Sequence, residues 1–317
     1  MREIVIDGQT SGQRLDRFAR KFLNRAPKDF VYKMIRKRNI KLNGTKAGGS
    51  EVLRDGDIVS LYLSDETIDG FTAEKPINIA AGALDIIFED DGLLVVNKPP
   101  GVLSQPDSAD VRDSVADRAA AYLRERVTPG FTPAVANRLD RNTSGVVAVG
   151  KTAPALAWLG SAFADNACEK VYLALVVGDV REPFEVRAYI SKNAHNTAIV
   201  TANATEAAKY AVTRFEPLAN ARGYTLLRVI METGRFHQIR ASLRFAGFPI
   251  VGDHKYGDMR VNNEFRRKFS LASQLLHCES LMFTQADGVL GHIAGRRFKA
   301  ELPAVFEKII ACTLGRV

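Results

Sequence analysis

Asn137-Arg138-Leu139-Asp140-Arg141-Asn142-Thr143-Ser144-Gly145, running directly into Val146-Val147-Ala148-Val149, is the stretch on which the reading of the chain turns. Four consecutive apolar residues, three of them β-branched, read as a strand buried on both faces. The polar segment before it then lies in a loop at the edge of a rigid sheet, a position suited to binding or catalysis. In that loop Asp140 stands between Arg138 and Arg141, and positive charge on either side favours an ionised carboxylate. Taken alone the pattern is weak, because an Asp between arginines is more often a surface ion pair.

The chain has 317 residues, which suits one small and one large domain. A hydrophobic fraction of 46% is ordinary for a globular protein, and a domain of about 230 residues buries a core without difficulty. The net charge of +8 and pI of 9.4 suggest a polyanionic partner, with RNA or DNA the usual one. A basic but otherwise ordinary soluble enzyme is the plainer alternative. The start, MREIVIDGQTSG, lacks the apolar run of a signal peptide, and no stretch approaches the ~18 apolar residues of a membrane span. Cys168, Cys278 and Cys312 lie far apart and form no CxxC pair, so a cytoplasmic location is expected. The histidines at 195, 237, 254, 277 and 292 do not cluster at ligand spacings, and no metal is expected.

Two regions emerge along the chain. The first spans residues 10–65. Thr10 and Gln13 have capping-box spacing, so a helix is expected to begin there. Leu15, Phe18, Ala19, Phe22 and Leu23 follow at helical period. Pro27 opens a second helix with Val31, Met34 and Ile35 facing inward. The strand Ile40-Lys41-Leu42 ends at Asn43-Gly44, a dipeptide that favours a tight hairpin because both residues tolerate positive φ. A last strand, Ile58 to Leu63, follows the Asp55-Gly56 turn. Residues 66–83 show no clean period and read as a linker. The second region, 84–317, opens with a hairpin over Ile86 to Asn97 around Asp91-Gly92. An Ala-rich helix is expected over 111–127, with strands at 145–149, 171–177, 209–215 and 224–231. There is no βαβ alternation, no GxGxxG and no P-loop, which argues against a nucleotide-cofactor fold. The fold class is therefore α+β: a mixed, mainly antiparallel sheet domain preceded by a small α/β module.

The order helix-helix-sheet, with Arg36, Lys37, Arg38 and Lys41, resembles the S4 RNA-binding module. Its usual opening, Arg-Leu-Asp-x-Phe, stands here as Arg14-Leu15-Asp16-Arg17-Phe18. A solvated charged face is the bland reading of RKRNIK. Asp16 has no part in the chemistry below; it suits the positive end of a helix.

The larger region is similar to the RluA-type pseudouridine synthases. Residues 137–145 resemble that family's His-Arg-Leu-Asp-x-x-Thr-Ser-Gly motif, and further segments agree in order. Lys98-Pro99-Pro100-Gly101 matches the Lys-Pro-x-Gly turn, and Lys170-Val171-Tyr172-Leu173-Ala174 matches the Lys-x-Tyr-x-Ala strand. Thr233-Gly234-Arg235-Phe236-His237-Gln238-Ile239-Arg240, Gly247 to Asp253 and Tyr256-Gly257 match the long third motif. Leu276-His277 fits a late Leu-His strand. The likeness covers about residues 85 to 305. Asn137 and Ser242 stand where the family usually has His, and the two side chains are guessed to touch.

The resemblance implies isomerisation of uridine to pseudouridine in structured RNA: the bond from ribose C1′ to N1 is cut, the base turns, and it rejoins through C5. No redox step or phosphate energy is involved, so no cofactor is expected. Asp140 would be the nucleophile or the initiating base, Arg240 its ion-pair partner, with Arg235 the alternative, and Tyr172 the residue against the uracil. Arg138 would fill the gap left by a flipped base. Arg141, Arg14, Arg36, Lys37, Arg38 and Lys41 would contact RNA, His237 and Gln238 would orient the loop around Arg240, and His277 would be a satisfied core histidine. Ribosomal RNA is the expected partner, and the chain is expected to be a monomer. The same chemistry on tRNA is one alternative; a non-catalytic RNA-binding or ribosome-assembly factor is the other. A metal-dependent nuclease fits least, there being no acidic or His cluster.

Overall fold

A computed structural model describes residues 1–73, 82–108 and 113–315. The N-terminal module contains β1 (Arg2–Val5), α1 (Leu15–Phe22), α2 (Lys28–Arg36), β2 (Ile40–Leu42), β3 (Thr45–Lys46), β4 (Ile58–Leu61) and α3 (Asp65–Phe71). Its antiparallel sheet has the order β1-β4-β2-β3. Leu15, Phe18 and Ala19 of α1, Leu23 just after it, and Val31, Met34 and Ile35 of α2 form the core, as their helical spacing requires. Asn43 and Gly44 turn the hairpin with φ of 50° and 73°.

Two expectations are corrected here. The first helix starts at Leu15 and carries no side-chain cap. Thr10 instead closes a turn with Asp7, its hydroxyl donating to Asp7 Oδ1 at 2.6 Å, a local bond that competes with capping. Gln13 Nε2 donates to the Thr10 and Gly130 carbonyls. The expected linker begins with a helix. Ser64 accepts the Thr67 N–H as the N-cap of α3, and Ile68 is fully buried in the module's core. Seven residues with one buried position leave little period to read. Residues 74–81 of that linker lie outside the described residues.

The module is docked on the larger domain. The Ala153 N–H donates to the Gln9 carbonyl at 2.8 Å, Gln9 Nε2 donates to the Arg126 carbonyl, and Phe18 occupies the space that a side chain on Gly130 would need.

The larger domain contains β5 (Ile86–Glu89), β6 (Leu93–Lys98), α4 (Val115–Tyr122), β7 (Ala134–Val135), β8 (Ser144–Gly150), α5 (Ala153–Ala164), β9 (Cys168–Val177), β10 (Phe184–Lys192), β11 (Ala198–Thr201), β12 (Lys209–Ala221), β13 (Tyr224–Met231), α6 (Gln238–Phe245), α7 (Met259–Phe269), β14 (Leu276–Phe283), β15 (Arg297–Lys299) and α8 (Ala304–Leu314). The Ala-rich helix expected over 111–127 is α4 followed by a single 3₁₀ turn, with 111 and 112 outside the described residues. One 11-stranded sheet runs β11-β10-β12-β13-β9-β14-β8-β6-β5, with β15 beside β14 and β7 beside β8.

The central strands are buried on both faces, which is why their apolar runs are continuous. Along β9, Tyr172, Ala174 and Val176 enter one core while Leu173 and Leu175 enter the core under α7 and α8. Every residue of β8 is buried.

Among the strands of the described residues the pairing is antiparallel except between β8 and β14, which meet in parallel at Ser144↔His277 and Cys278↔Gly145. Gly145 has φ 115°, and a Cβ there would lie 2.1 Å from the Cys278 carbonyl oxygen. Only glycine fits this approach. Beside it, His277 Nε2 faces the Ala300 carbonyl at 3.2 Å and therefore donates, so Nδ1 accepts from the Ser144 hydroxyl at 2.9 Å. Burial pushes the His277 imidazole down to about 4.

Gly145→Ala should cost more than about 2 kcal/mol of stability by urea denaturation. Gly44→Ala, also at positive φ but with open space around its Cβ, should cost about 1 kcal/mol. Equal costs at the two sites would contradict the close approach. His277 gives a pH signature. Its folded pKa of about 4 lies below the ordinary 6.5, so the folded state binds fewer protons between those values. The stability present above pH 6.5 is then lost as pH falls toward 4. His277→Gln, which keeps a donor and an acceptor, should flatten that decline in the urea midpoint.

Candidate active site

The loop after β7 that carries Asp140 is clamped from both sides. At the end of β6, fully buried Lys98 donates from Nζ to the carbonyls of Pro99 (3.0 Å), Val102 (2.7 Å) and Arg141 (2.9 Å). The Gly101 N–H reaches the same Arg141 carbonyl at 2.9 Å. The Lys-Pro-Pro-Gly turn thus grips the residue after Asp140. Burial pushes the Lys98 ammonium down to about 7, with Asp140 pulling the other way. Three carbonyl acceptors also favour the charged form, since only an ammonium has three N–H donors. On the other side of Asp140, the Ser104 hydroxyl donates to the Leu139 carbonyl and accepts the Leu139 N–H. Gln274 Nε2 donates to the Thr143 hydroxyl at 3.2 Å.

Helix α6 brings the partner. Arg240 Nη1 donates to Asp140 Oδ2 at 2.7 Å across 100 residues of sequence. The rest of the guanidinium forks onto Asp253, with Nε to Oδ2 at 2.7 Å and Nη2 to Oδ1 at 2.9 Å. Asp253 is completely buried and also accepts the N–H groups of Lys255 and Tyr256. Burial opposes its charge, but Arg240 and those amides outweigh it and hold the carboxyl below its ordinary range. Burial likewise opposes the Arg240 charge, and Asp253 and Asp140 outweigh it and raise its pKa. A paired guanidinium this deeply placed is hard to remove: breaking a buried ion pair costs about 3–5 kcal/mol. Among the described residues no hydrogen bond reaches Asp140 Oδ1. One carboxylate oxygen is held and the other is open, on a side chain 29% exposed.

His237 caps the start of α6 from a left-handed backbone, φ 51°, a strained conformation for a non-glycine residue. The Tyr256 hydroxyl accepts the Ala198 N–H at 2.6 Å, which leaves its proton for His237 Nδ1 at 2.9 Å. Nε2 therefore carries the His237 proton and lies 3.9 Å from Asp140 Oδ2. Burial pushes this imidazole down to about 4 against the pull of Asp140, so it is neutral. Tyr256 also lies under the Arg240 guanidinium, 5.1 Å from ring centroid to Cζ.

Asp140, His237 and Arg240 open into one pocket with Tyr172, Met231 and Leu276. Tyr172 is 6% exposed. Burial, then the neighbouring Cys278 thiol, raises its pKa well above the ordinary value, so the phenol is neutral. A carboxylate with one free oxygen, a fixed cation behind it and an aromatic ring in one small pocket can attack or deprotonate a flat, uncharged substrate.

Of the residues singled out in the sequence, Asp140, Tyr172 and Arg240 come together. Arg235 does not reach Asp140; its Nε donates to the Tyr210 carbonyl, although it lines the pocket with Arg138. Arg138 is exposed. Arg141 is exposed and lies 3.8 Å from Asp107. In the N-terminal module Arg36, Lys37 and Arg38 are exposed, and Lys41 lies over the Tyr62 ring at 4.5 Å. Arg14 is committed to Asp16 through Nε and Nη2. No hydrogen bond links Asn137 to Ser242. Both ends of the Asn137 amide bond to β8, Nδ2 to the Val146 carbonyl and Oδ1 from the Ala148 N–H. Asn137 thereby extends the ladder that β7 begins. Gln238 orients the turn before α6: its Oε1 accepts from Thr233 and the Arg235 N–H, and its Nε2 donates to Val212 and Thr213.

Sequence reasoning assigned no role to Asp253, Tyr256 or Lys98. All three stand in the matched motifs, and for Lys98 and Asp253 a charged residue beside Pro or Gly in an otherwise apolar stretch was the available signal.

Residues 92–245 match the family model for RNA pseudouridylate synthase. The chain is 33% identical over 285 residues to the ribosomal large subunit pseudouridine synthase C of Vibrio vulnificus, covering 89% of this chain and 88% of that protein. It is 32% identical over 285 residues to the Escherichia coli protein of the same name, covering 89% and 88%. A solved structure of human RNA pseudouridylate synthase domain containing 4 shares the fold, with a TM-score of 0.57, 21% identity, and coverage of 71% of this chain and 91% of that one. The clamped Asp140 loop thus sits in a chain that belongs to the RluA-type family of RNA pseudouridine synthases.

Proposed function

We propose that this enzyme converts uridine to pseudouridine in large-subunit ribosomal RNA, without a cofactor, and that Asp140 opens the reaction. The observation that carries the reading is the half-held carboxylate: Oδ2 is fixed by Arg240 at 2.7 Å, while Oδ1 has no protein hydrogen bond among the described residues and the side chain lines the pocket. Attack on the ribose, attack on the base and proton abstraction all need a carboxylate oriented in this way. The reaction exchanges a C–N for a C–C bond within one nucleotide, with no net redox change, so the chemistry asks for no electron carrier.

Arg240 fixes the rotamer of Asp140, and Asp253 fixes Arg240. Tyr172 offers its ring to the uracil. Burial favours its neutral phenol, which suits stacking on the base, and removal of the C5 proton falls to Tyr172, Asp140 or water. The uridine must leave its stack to reach the pocket, and exposed Arg138 at the rim is suited to take its place.

The relatives named as ribosomal large subunit enzymes favour ribosomal RNA over tRNA. The N-terminal module, docked beside the pocket domain, gives a large folded RNA a second anchor through Arg36, Lys37, Arg38 and Lys41.

Ribosomal RNA and tRNA transcripts tritiated at uridine C5 test this directly. Wild type should release tritium from ribosomal RNA, and Asp140→Asn should release it about 1,000-fold or more slowly while binding the RNA equally well. Release from tRNA alone would move the substrate. Equal release by Asp140→Asn would remove Asp140 from the chemistry.

A further inference from the structure

Phe236 stands between the pocket-lining residues Arg235 and His237 and is 40% exposed, although it is a large apolar side chain. Its ring stacks on His237 with centroids 3.7 Å apart and planes at 23°. His237 is itself fixed by Tyr256 and by its left-handed backbone. The exposed ring is therefore held rigidly at a set distance from the pocket, because the same imidazole that supports it lies 3.9 Å from Asp140. A second element supplies charge: Lys192, exposed at the end of β10, places Nζ over the Phe236 ring at 4.9 Å. The hairpin after Lys192 is pinned by Lys255 Nζ, which donates to the Asn196 carbonyl at 2.9 Å. Arg235, pinned by Tyr210, stands on the other side of Phe236 in the chain and is also exposed.

An exposed aromatic ring with a lysine over it and an exposed arginine next to it in the chain is the chemistry that binds unpaired nucleotides: the ring stacks on a base, and the cations meet nearby phosphates. A lysine over an aromatic ring is held only weakly at an exposed site, so an incoming base can displace it toward a phosphate. A buried role for Phe236 does not account for its exposure, and an apolar protein partner does not account for Lys192 and Arg235.

We propose that Phe236, with Lys192 and Arg235, is a stacking platform for the nucleobase next to the uridine that enters the pocket. This rests on the reading of that pocket as the uridine site, and it adds a determinant of substrate choice outside it: RNA with an unpaired neighbour beside the target is favoured over a continuous helix.

Filter binding of the full chain to a large-subunit ribosomal RNA transcript reads the platform independently of turnover. Phe236→Leu keeps apolar contact with His237 but has no π face, and Phe236→Trp keeps the face. Phe236→Leu should weaken binding about 5- to 150-fold, Phe236→Trp should bind within about three-fold of wild type, and both should keep the wild-type melting temperature. In tritium release the Phe236→Leu defect should fall on KM, with kcat preserved. Wild-type affinity in Phe236→Leu would overturn the platform. So would a loss confined to kcat, which would mean that Phe236 acts through His237 on Asp140. Failure of the wild type to release tritium, with the Phe236→Leu binding defect intact, would reject the uridine-site reading and leave an RNA-stacking surface.

Discussion

The site hangs on one guanidinium. Arg240 lies between two carboxylates, giving Asp253 a two-point fork and Asp140 a single bond. The asymmetry matters. Asp253 is sealed from solvent and fully satisfied by Arg240 and two backbone amides, so it acts as an anchor. Asp140 keeps one oxygen for the pocket. Two carboxylates around one guanidinium leave excess negative charge in a buried setting, and the Lys98 ammonium, which Asp140 attracts, offsets it from the other side of the loop. Paired charges of this kind add little to stability relative to apolar packing. What they supply is a carboxylate that cannot turn away.

The fold exists around that constraint. Asp140 precedes β8, Arg240 belongs to α6, and Asp253 follows it, so the three depend on strands far apart in sequence being set side by side. The parallel join of β8 to β14 at Ser144 and Gly145 fixes the end of the Asp140 loop, and its one close approach admits no side chain at Gly145. Lys98, Ser104 and Gln274 then hold the loop by its backbone and by Thr143. In the proposed chemistry the base approaches a carboxylate whose position is settled before binding, which lowers the reorganisation that a reaction on a flipped nucleotide requires.

Much of this was legible in the sequence, unevenly. The β8 run and the α1 and α2 stripes could be read from burial period alone, because burial on one or both faces leaves a repeating trace. The partnership of Asp140 with Arg240 could not; no local pattern links residues 100 apart, and it came from motif resemblance. Local competition misled twice. Thr10 has the spacing of a cap, but Asp7 claims its hydroxyl. Asn137 looked like a partner for Ser242, but its amide imitates a backbone peptide and completes the β8 ladder. Helix α3 was missed because a seven-residue helix with a single buried residue, Ile68, has no period to show. Asp253 stands within a motif whose pattern gives it no role, since a buried anchor for another residue's cation is defined only by tertiary contact.

Single-turnover kinetics of Arg240→Lys tests the central claim most directly. Lysine keeps the positive charge but cannot fork onto Asp253 while reaching Asp140. If orientation of Asp140 is what Arg240 supplies, RNA affinity should stay within about three-fold of wild type while the rate on bound RNA falls about 100-fold or more. A rate within about two-fold of wild type would show that charge alone suffices and that the fixed carboxylate is not the basis of the reaction.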